Sequence, residues 1–95
     1  MDQTQPIYIN IPVPTKEEAD KLCRQIIELD LAGTGKIHEN VTLMWKHDEV
    51  GEDKVCLMSL KSIRGNLEKI HEFILNNHSW KTPCIEVTAL QTDMC

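Results

Sequence analysis

The stretch Val55-Cys56-Leu57-Met58-Ser59-Leu60 is apolar at every position but one, and charged residues flank it on both sides: Asp53-Lys54 before, Lys61 after. A run of this length bounded by polar residues reads as a strand, and side chains on a strand alternate between two faces. Both faces of this strand therefore need cover, which makes it a central strand. The chain has 95 residues, enough for one small domain spanning 1–95 with one core. If its own helices cover one face of a sheet, the other face has to be covered from outside.

The rest of the chain supplies those helices. Ile7, Ile9, Ile11 and Val13 alternate with Tyr8 and Asn10, the pattern of a half-buried strand, which Pro12 and Pro14 bring to a close. Thr15-Lys16-Glu17-Glu18 has the spacing of a capping box. Ala19, Leu22, Cys23, Ile26 and Ile27 then form one apolar stripe of a helix, with Gly33 expected as its stop. From Ile37 the period returns to two. Ile37, Val41, Leu43 and Trp45 are expected on one face, interrupted by Glu39. The charged segment 47–53 forms a turn. Ser62 or Asn66 is expected to cap a second helix with the stripe Ile63, Leu67, Ile70, Ile74, ending at Asn76-Asn77. Pro83 precedes a last strand carrying Ile85, Val87 and Ala89. Residues 1–6 and 91–95 are expected to be flexible.

The order βαββαβ specifies an α+β, ferredoxin-like sandwich: a four-stranded antiparallel sheet with both helices on one face. The second strand is long. Eleven residues at about 3.4 Å each reach roughly 37 Å, against about 34 Å for a domain of this size. The hairpin of the second and third strands should overhang its own domain. An overhanging strand with a bare edge invites pairing with another chain, so pattern and reach both predict an oligomer.

Composition excludes several classes. Apolar residues make up 41% and charged residues 26%, ordinary for a folded domain. A net charge of −5 lacks the basic footprint of a nucleic-acid binder. No apolar run approaches the ~20 residues of a membrane span. The start of the chain has neither the basic nor the apolar region of a signal peptide, so a cytoplasmic location is expected. Cys23, Cys56, Cys84 and Cys95 form no CxxC pair; the first three fall in apolar segments and read as packed thiols. The sequons at Asn40 and Asn77 then carry no glycan. The turn Val13-Pro14-Thr15-Lys16 holds neither the thiols of a metal chaperone nor the arginine and glycines of an acylphosphatase. A non-enzymatic protein is expected.

Four histidines remain to be placed. His38 and His47 sit on the hairpin and read as solvated, and His71 lies beside the second helical stripe. His78 and Cys84 bracket a loop with Trp80 between them; an imidazole and a thiol could converge on copper or zinc. A loop histidine with a packed cysteine is the plainer reading. Met94 and Cys95 are soft donors at a terminus. Trp45 covers a core or interface edge. Lys61 ends the buried strand, where it either snorkels to solvent or holds an anion in a cleft.

Four segments together resemble the CutA divalent-cation tolerance family, over roughly residues 7–90. These are the strand–turn–helix from Ile11 to Leu22 and Asp30–Ile37 (similar to RLAACVNI). They continue with Glu52-Asp53 through Lys61-Ser62 (similar to ED…LLLIKT) and His78–Ile85 (similar to HPYEVPEI). The resemblance implies a homotrimer built through the long hairpin and the sheet edges, and a role with divalent metal ions, copper especially. Lys61, Trp45 and Trp80 are expected in the intersubunit ligand cleft that it implies; a metal site at His78 and Cys84 would be rebuilt on this chain's own residues rather than carried over from the family. The resemblance also implies a likeness to the trimeric PII signal proteins, which opens two alternatives: a sensor of a small anionic ligand, or an interaction scaffold with no ligand. Several family positions differ. Thr34 stands for the family cysteine, Trp80 for the tyrosine, and Cys84 for the glutamate after the proline. The hairpin motif becomes Trp45-Lys46-His47, and the family usually continues into a further strand and helix beyond the point where this chain ends.

Overall fold

The computed structural model describes residues 2–91. In chain order it contains β1 (Pro6–Val13), α1 (Lys16–Glu28), β2 (Thr34–Lys46), β3 (Val50–Ile63), a 3₁₀ turn (Arg64–Asn66), α2 (Leu67–Asn77) and β4 (Glu86–Ala89). The sheet order is β2-β3-β1-β4, antiparallel throughout. The expected βαββαβ arrangement is thus present, with β3 central.

Register explains the core. Ile9 pairs with Leu60, Ile11 with Met58 and Val13 with Cys56, so these side chains share one face. All join Ala19, Leu22, Cys23 and Ile26 of α1 and Ile70 and Ile74 of α2 in a single buried cluster. Both helices therefore lie on that face. Each fully buried aliphatic side chain here contributes roughly 1.5–3 kcal/mol by leaving water. Gly35 fits the same layer, because a Cβ there would collide with Cys23 Sγ.

The opposite face carries Tyr8, Asn10, Leu57, Ser59 and Lys61, and has no helix over it. Val55 and Ser59 are nonetheless buried. Ser59 Oγ donates to Asn10 Oδ1 at 2.5 Å.

Several boundaries differ from expectation, each for a local reason. α1 ends at Glu28 rather than near Gly33. Asp30 takes the left-handed conformation (φ 59°) that closes the helix, and Leu29 and Leu31 amides bond back to Gln25 and Ile26 carbonyls. A short polar side chain tolerates that conformation. Asn66 takes the N-cap position of α2 but makes no side-chain cap bond; its side chain and that of Ser62 both donate to the Leu31 carbonyl and pin the α1–β2 connection to the end of β3. Ile63 belongs to β3, not to the α2 stripe. Gln3 and Gln5, expected in a flexible lead-in, accept Gly65 and Arg64 amides, and Pro6 opens β1.

The long hairpin is present, with strands of 13 and 14 residues. The molecule measures 41 × 24 × 22 Å, elongated as such strands require. One expectation about it fails. Ile37 and Val41 do not share a face, because the β2–β3 register shifts between His38 and Val41. The shift is a β-bulge containing Asn40 at φ 58°. Ile37 pairs with Met58 on the helix side, whereas Val41 pairs with Val55 on the open side. The outer hairpin thereby turns Val41, Leu43 and Trp45 toward the face left without a helix.

Candidate ligand cleft and metal-ligating residues

Lys61 lies near the end of the sheet at which β1 and β2 begin and β3 finishes. It pairs with Tyr8 and with Thr34, the residue in the place of the family cysteine. Its carbonyl accepts the Gly33 amide at 3.0 Å. It helps line a groove of about 610 Å³ together with Leu31, Ala32, Gly33, Thr34 and Ile63. On the same open face, Lys36 Nζ stands 3.4 Å from Tyr8 Oη.

His78 follows α2 and is buried against the start of α1. Trp80 N–H donates to its Nδ1 at 2.9 Å. A nitrogen that accepts carries no proton, so the ring proton sits on Nε2, which donates to the Pro12 carbonyl at 2.9 Å. Glu18 completes the arrangement. Thr15 Oγ accepts the Glu18 amide as expected of the cap, but the Glu18 carboxylate does not turn back to the helix start. Instead it accepts Ser79 N–H at 2.8 Å, and the same oxygen stands 3.7 Å from His78 Nδ1. Glu18 and the Pro12 carbonyl were not legible as site residues: these contacts span 61 and 66 positions in sequence.

A metal ion binds imidazole through a free nitrogen lone pair, and in this loop Trp80 N–H occupies it. Cys84, expected to be packed, is exposed. Its neighbours decide this: Pro83 is buried and Ile85 packs on the core, so the residue between them points outward. Among the described residues, His, Cys, Asp and Glu side chains form no group of three or more that could hold a metal. His78 and Cys84 are therefore not a ready-made metal site within one chain. Met94 and Cys95 lie outside the described residues.

Trp45 sits near the hairpin tip, paired with Gly51. Its ring lies across Gly51, where a Cβ would collide with it, and its Nε1 donates to Asp53 Oδ2 at 3.1 Å. Gly51 and Lys61 are ten residues apart on one strand, roughly 33 Å. Trp80 is tied through His78 to Pro12, about 13 Å along β1 from the Lys61 partner Tyr8. A single chain does not bring Lys61, Trp45 and Trp80 together; a shared cleft needs a second copy. His38, His47 and His71 are exposed.

Burial pushes the Cys23 thiol above its usual pKa, with the Asp20 carboxylate adding to the effect and Arg24 opposing it. Cys23 is a core residue with no role in the loop chemistry.

Comparison with known proteins agrees with this architecture. The structure is similar to a divalent cation tolerance protein (Cut A1) from Thermus thermophilus: TM-score 0.89, 23% identity, covering 94% of this chain and 87% of that one. It is similar to CutA1 from Oryza sativa with a TM-score of 0.91 and 22% identity, covering 97% of this chain and 85% of that one. In sequence, the divalent-cation tolerance protein CutA of Archaeoglobus fulgidus is 24% identical over 78 residues, 82% of this chain and 76% of the relative. The family model for CutA1 divalent ion tolerance protein matches residues 7–93. With that match spanning nearly all of the sequence, the chain belongs to the CutA1 divalent ion tolerance family.

Proposed function

We propose that this chain is the protomer of a cytoplasmic homotrimer that takes up divalent cations, copper foremost, and serves in tolerance to them without catalysing a reaction. Membership of the divalent ion tolerance family across residues 7–93 carries this reading. The hairpin supports assembly: Met44, Trp45 and Val50 near its tip are 66%, 48% and 69% exposed, more apolar surface than a slender two-stranded arm normally leaves to water. In this reading the metal is a cargo rather than part of the fold. Uptake through His78 requires Trp80 N–H to leave Nδ1, and exposed Cys84 is the accessible soft donor of the pair. Copper binding is then coupled to opening of the loop between α2 and β4.

Native mass spectrometry of the reduced protein, alone and with a small excess of Cu²⁺ or Zn²⁺, tests both parts. The expected result is a trimer that takes up metal in threes, with uptake lost in Cys84→Ser. A monomer refutes the assembly. A trimer with no stoichiometric metal refutes the cation reading and favours a scaffold.

A second reading is favoured by the groove beside Lys61: a trimer that senses a small anionic ligand. Here Lys61→Ala abolishes ligand binding and leaves metal uptake intact.

A further inference from the structure

We propose that Glu18 ligates the same divalent ion as His78, and that the Ser79 and Trp80 amides are a backbone plug filling this two-donor seat until the ion displaces them. The inference rests on the metal reading above and adds to it a ligand from α1 and a gate.

The imidazole is set as that of a metal-binding histidine. A ligating histidine almost always donates its other ring N–H to a carbonyl or carboxylate, which fixes the tautomer and aims the lone pair. His78 Nε2 donates to the Pro12 carbonyl at 2.9 Å, so Nδ1 carries the lone pair. The ring is buried, and this bond holds its orientation.

Glu18 supplies the second donor. Its Oε2 stands 3.7 Å from Nδ1. Two donors at about 2.0–2.1 Å from one tetrahedral ion lie about 3.3 Å from each other, so a small side-chain adjustment lets one ion touch both. An imidazole nitrogen with a carboxylate oxygen suits zinc and copper. The carboxylate is in this place because it leaves the helix start, where the capping pattern would have kept it.

The loop backbone occupies both donors. Ser79 N–H donates to Glu18 Oε2 at 2.8 Å, and Trp80 N–H to His78 Nδ1 at 2.9 Å. Consecutive amides thus place their positive ends on the two atoms that a cation would bridge, and an ion that uses both lone pairs has to displace both amides. They can move without breaking a helix or a strand ladder, since residues 78–85 lie between α2 and β4 and belong to neither. Access exists: Glu18 and Ser79 line a crevice of about 420 Å³ between α1 and the end of α2. Cys84, on the same segment, is exposed and remains the soft donor that joins them.

The test is a two-dimensional amide NMR titration of the intact reduced protein with zinc chloride, with affinities from calorimetry at one pH. In the wild type the largest shifts are expected at Ser79 and Trp80. Losing an outer partner of a metal ligand already costs about 10–100-fold in affinity, so Glu18→Gln, which removes a ligand, should weaken zinc by at least about tenfold. The glutamine oxygen still accepts Ser79 N–H, so the melting temperature should hold. Exposed Glu17 is the control for general charge: Glu17→Gln should leave zinc affinity unchanged. If the wild type binds zinc and Glu18→Gln binds it equally, or if Glu17→Gln weakens it as much, the proposal is overturned and the His78 and Cys84 reading stands. Zinc shifts confined to the hairpin, with Ser79 and Trp80 unmoved, overturn both, as does a wild type that binds no zinc or copper.

Discussion

From Val55 to Ser62, β3 runs through the body of the protein, with Cys56, Met58 and Leu60 under the helices and β1 alongside. From Val50 to Lys54 the same strand leaves the body, paired only with β2, and its residues are mostly exposed. The inner half is hydrogen-bonded to a strand on each side and the outer half to one, and side-chain burial falls in the same direction. A two-stranded ribbon on its own is marginally stable in water. The outer half therefore depends on the body for register and, in the proposed trimer, on a neighbouring copy for cover. The contrast also separates two candidate sites: Lys61 and its groove belong to the body, Trp45 to the arm.

The sharpest test of the contrast compares the two halves directly. Met58 is fully buried, and Met58→Ala should cost about 3 kcal/mol, lowering the melting temperature by more than about 10 °C. Leu43→Ala on the arm should cost under about 1 kcal/mol if the arm stands free in water. Urea titration of both variants decides it: equal losses would place another chain over the arm.

The second test concerns the His78 loop. His78→Ala leaves the Pro12 carbonyl and Trp80 N–H without their ring partner, at a cost of about 1–3 kcal/mol. Exposed Cys84→Ser should cost less than about 0.5 kcal/mol. The same denaturation measurement reads both, and it makes Cys84→Ser the cleaner probe of metal uptake.

A smaller effect is expected at the bulge joining body and arm. Asn40→Ala places an ordinary side chain at φ 58° and should cost about 1 kcal/mol, whereas Asn40→Gly should be neutral or slightly stabilising. Thermal melts of the pair check it. A neutral Asn40→Ala would mean that the bulge can relax without moving the arm.

The smallest effect is at Cys23. Burial raises its pKa in the folded protein, so below the ordinary thiol value of about 8.5 both folded and unfolded chains hold the proton. Above that value the unfolded chain releases it first, and the contribution to stability is lost as pH rises. Stability should fall from pH 8 to 10 with a slope that Cys23→Ala reduces. Peptide mapping after brief alkylation should find Cys84 modified and Cys23 and Cys56 protected.

Much of this was legible in the residues themselves. The alternation of Ile7, Ile9, Ile11 and Val13 and the stripe Ala19, Leu22, Cys23, Ile26 gave the elements and the core, because periodic burial follows from backbone geometry alone. The overhang followed from strand length. Resemblance supplied the family, which the match over 7–93 bears out. Individual residues at the candidate sites were harder to read. Glu18 looks like half of a capping box in sequence, yet its carboxylate serves Ser79, across 61 positions. Ser62 and Asn66 have the composition of helix caps, yet both go to Leu31. Local pattern names the hydrogen-bonding capacity of such a residue and leaves its partner open.

By itself, then, the sequence determined the βαββαβ order, the central place of Val55–Leu60, the layer of helices over it and the reach of the hairpin. These depend on local periodicity and chain length. Only the tertiary structure decided that Asn40 switches Val41, Leu43 and Trp45 to the open face, that His78 has both ring nitrogens engaged, that Cys84 points outward, and that Gly33 lies bare in a groove beside Lys61. Those outcomes depend on register shifts and on contacts between distant segments, which the packing of the whole chain sets and no short window of sequence contains.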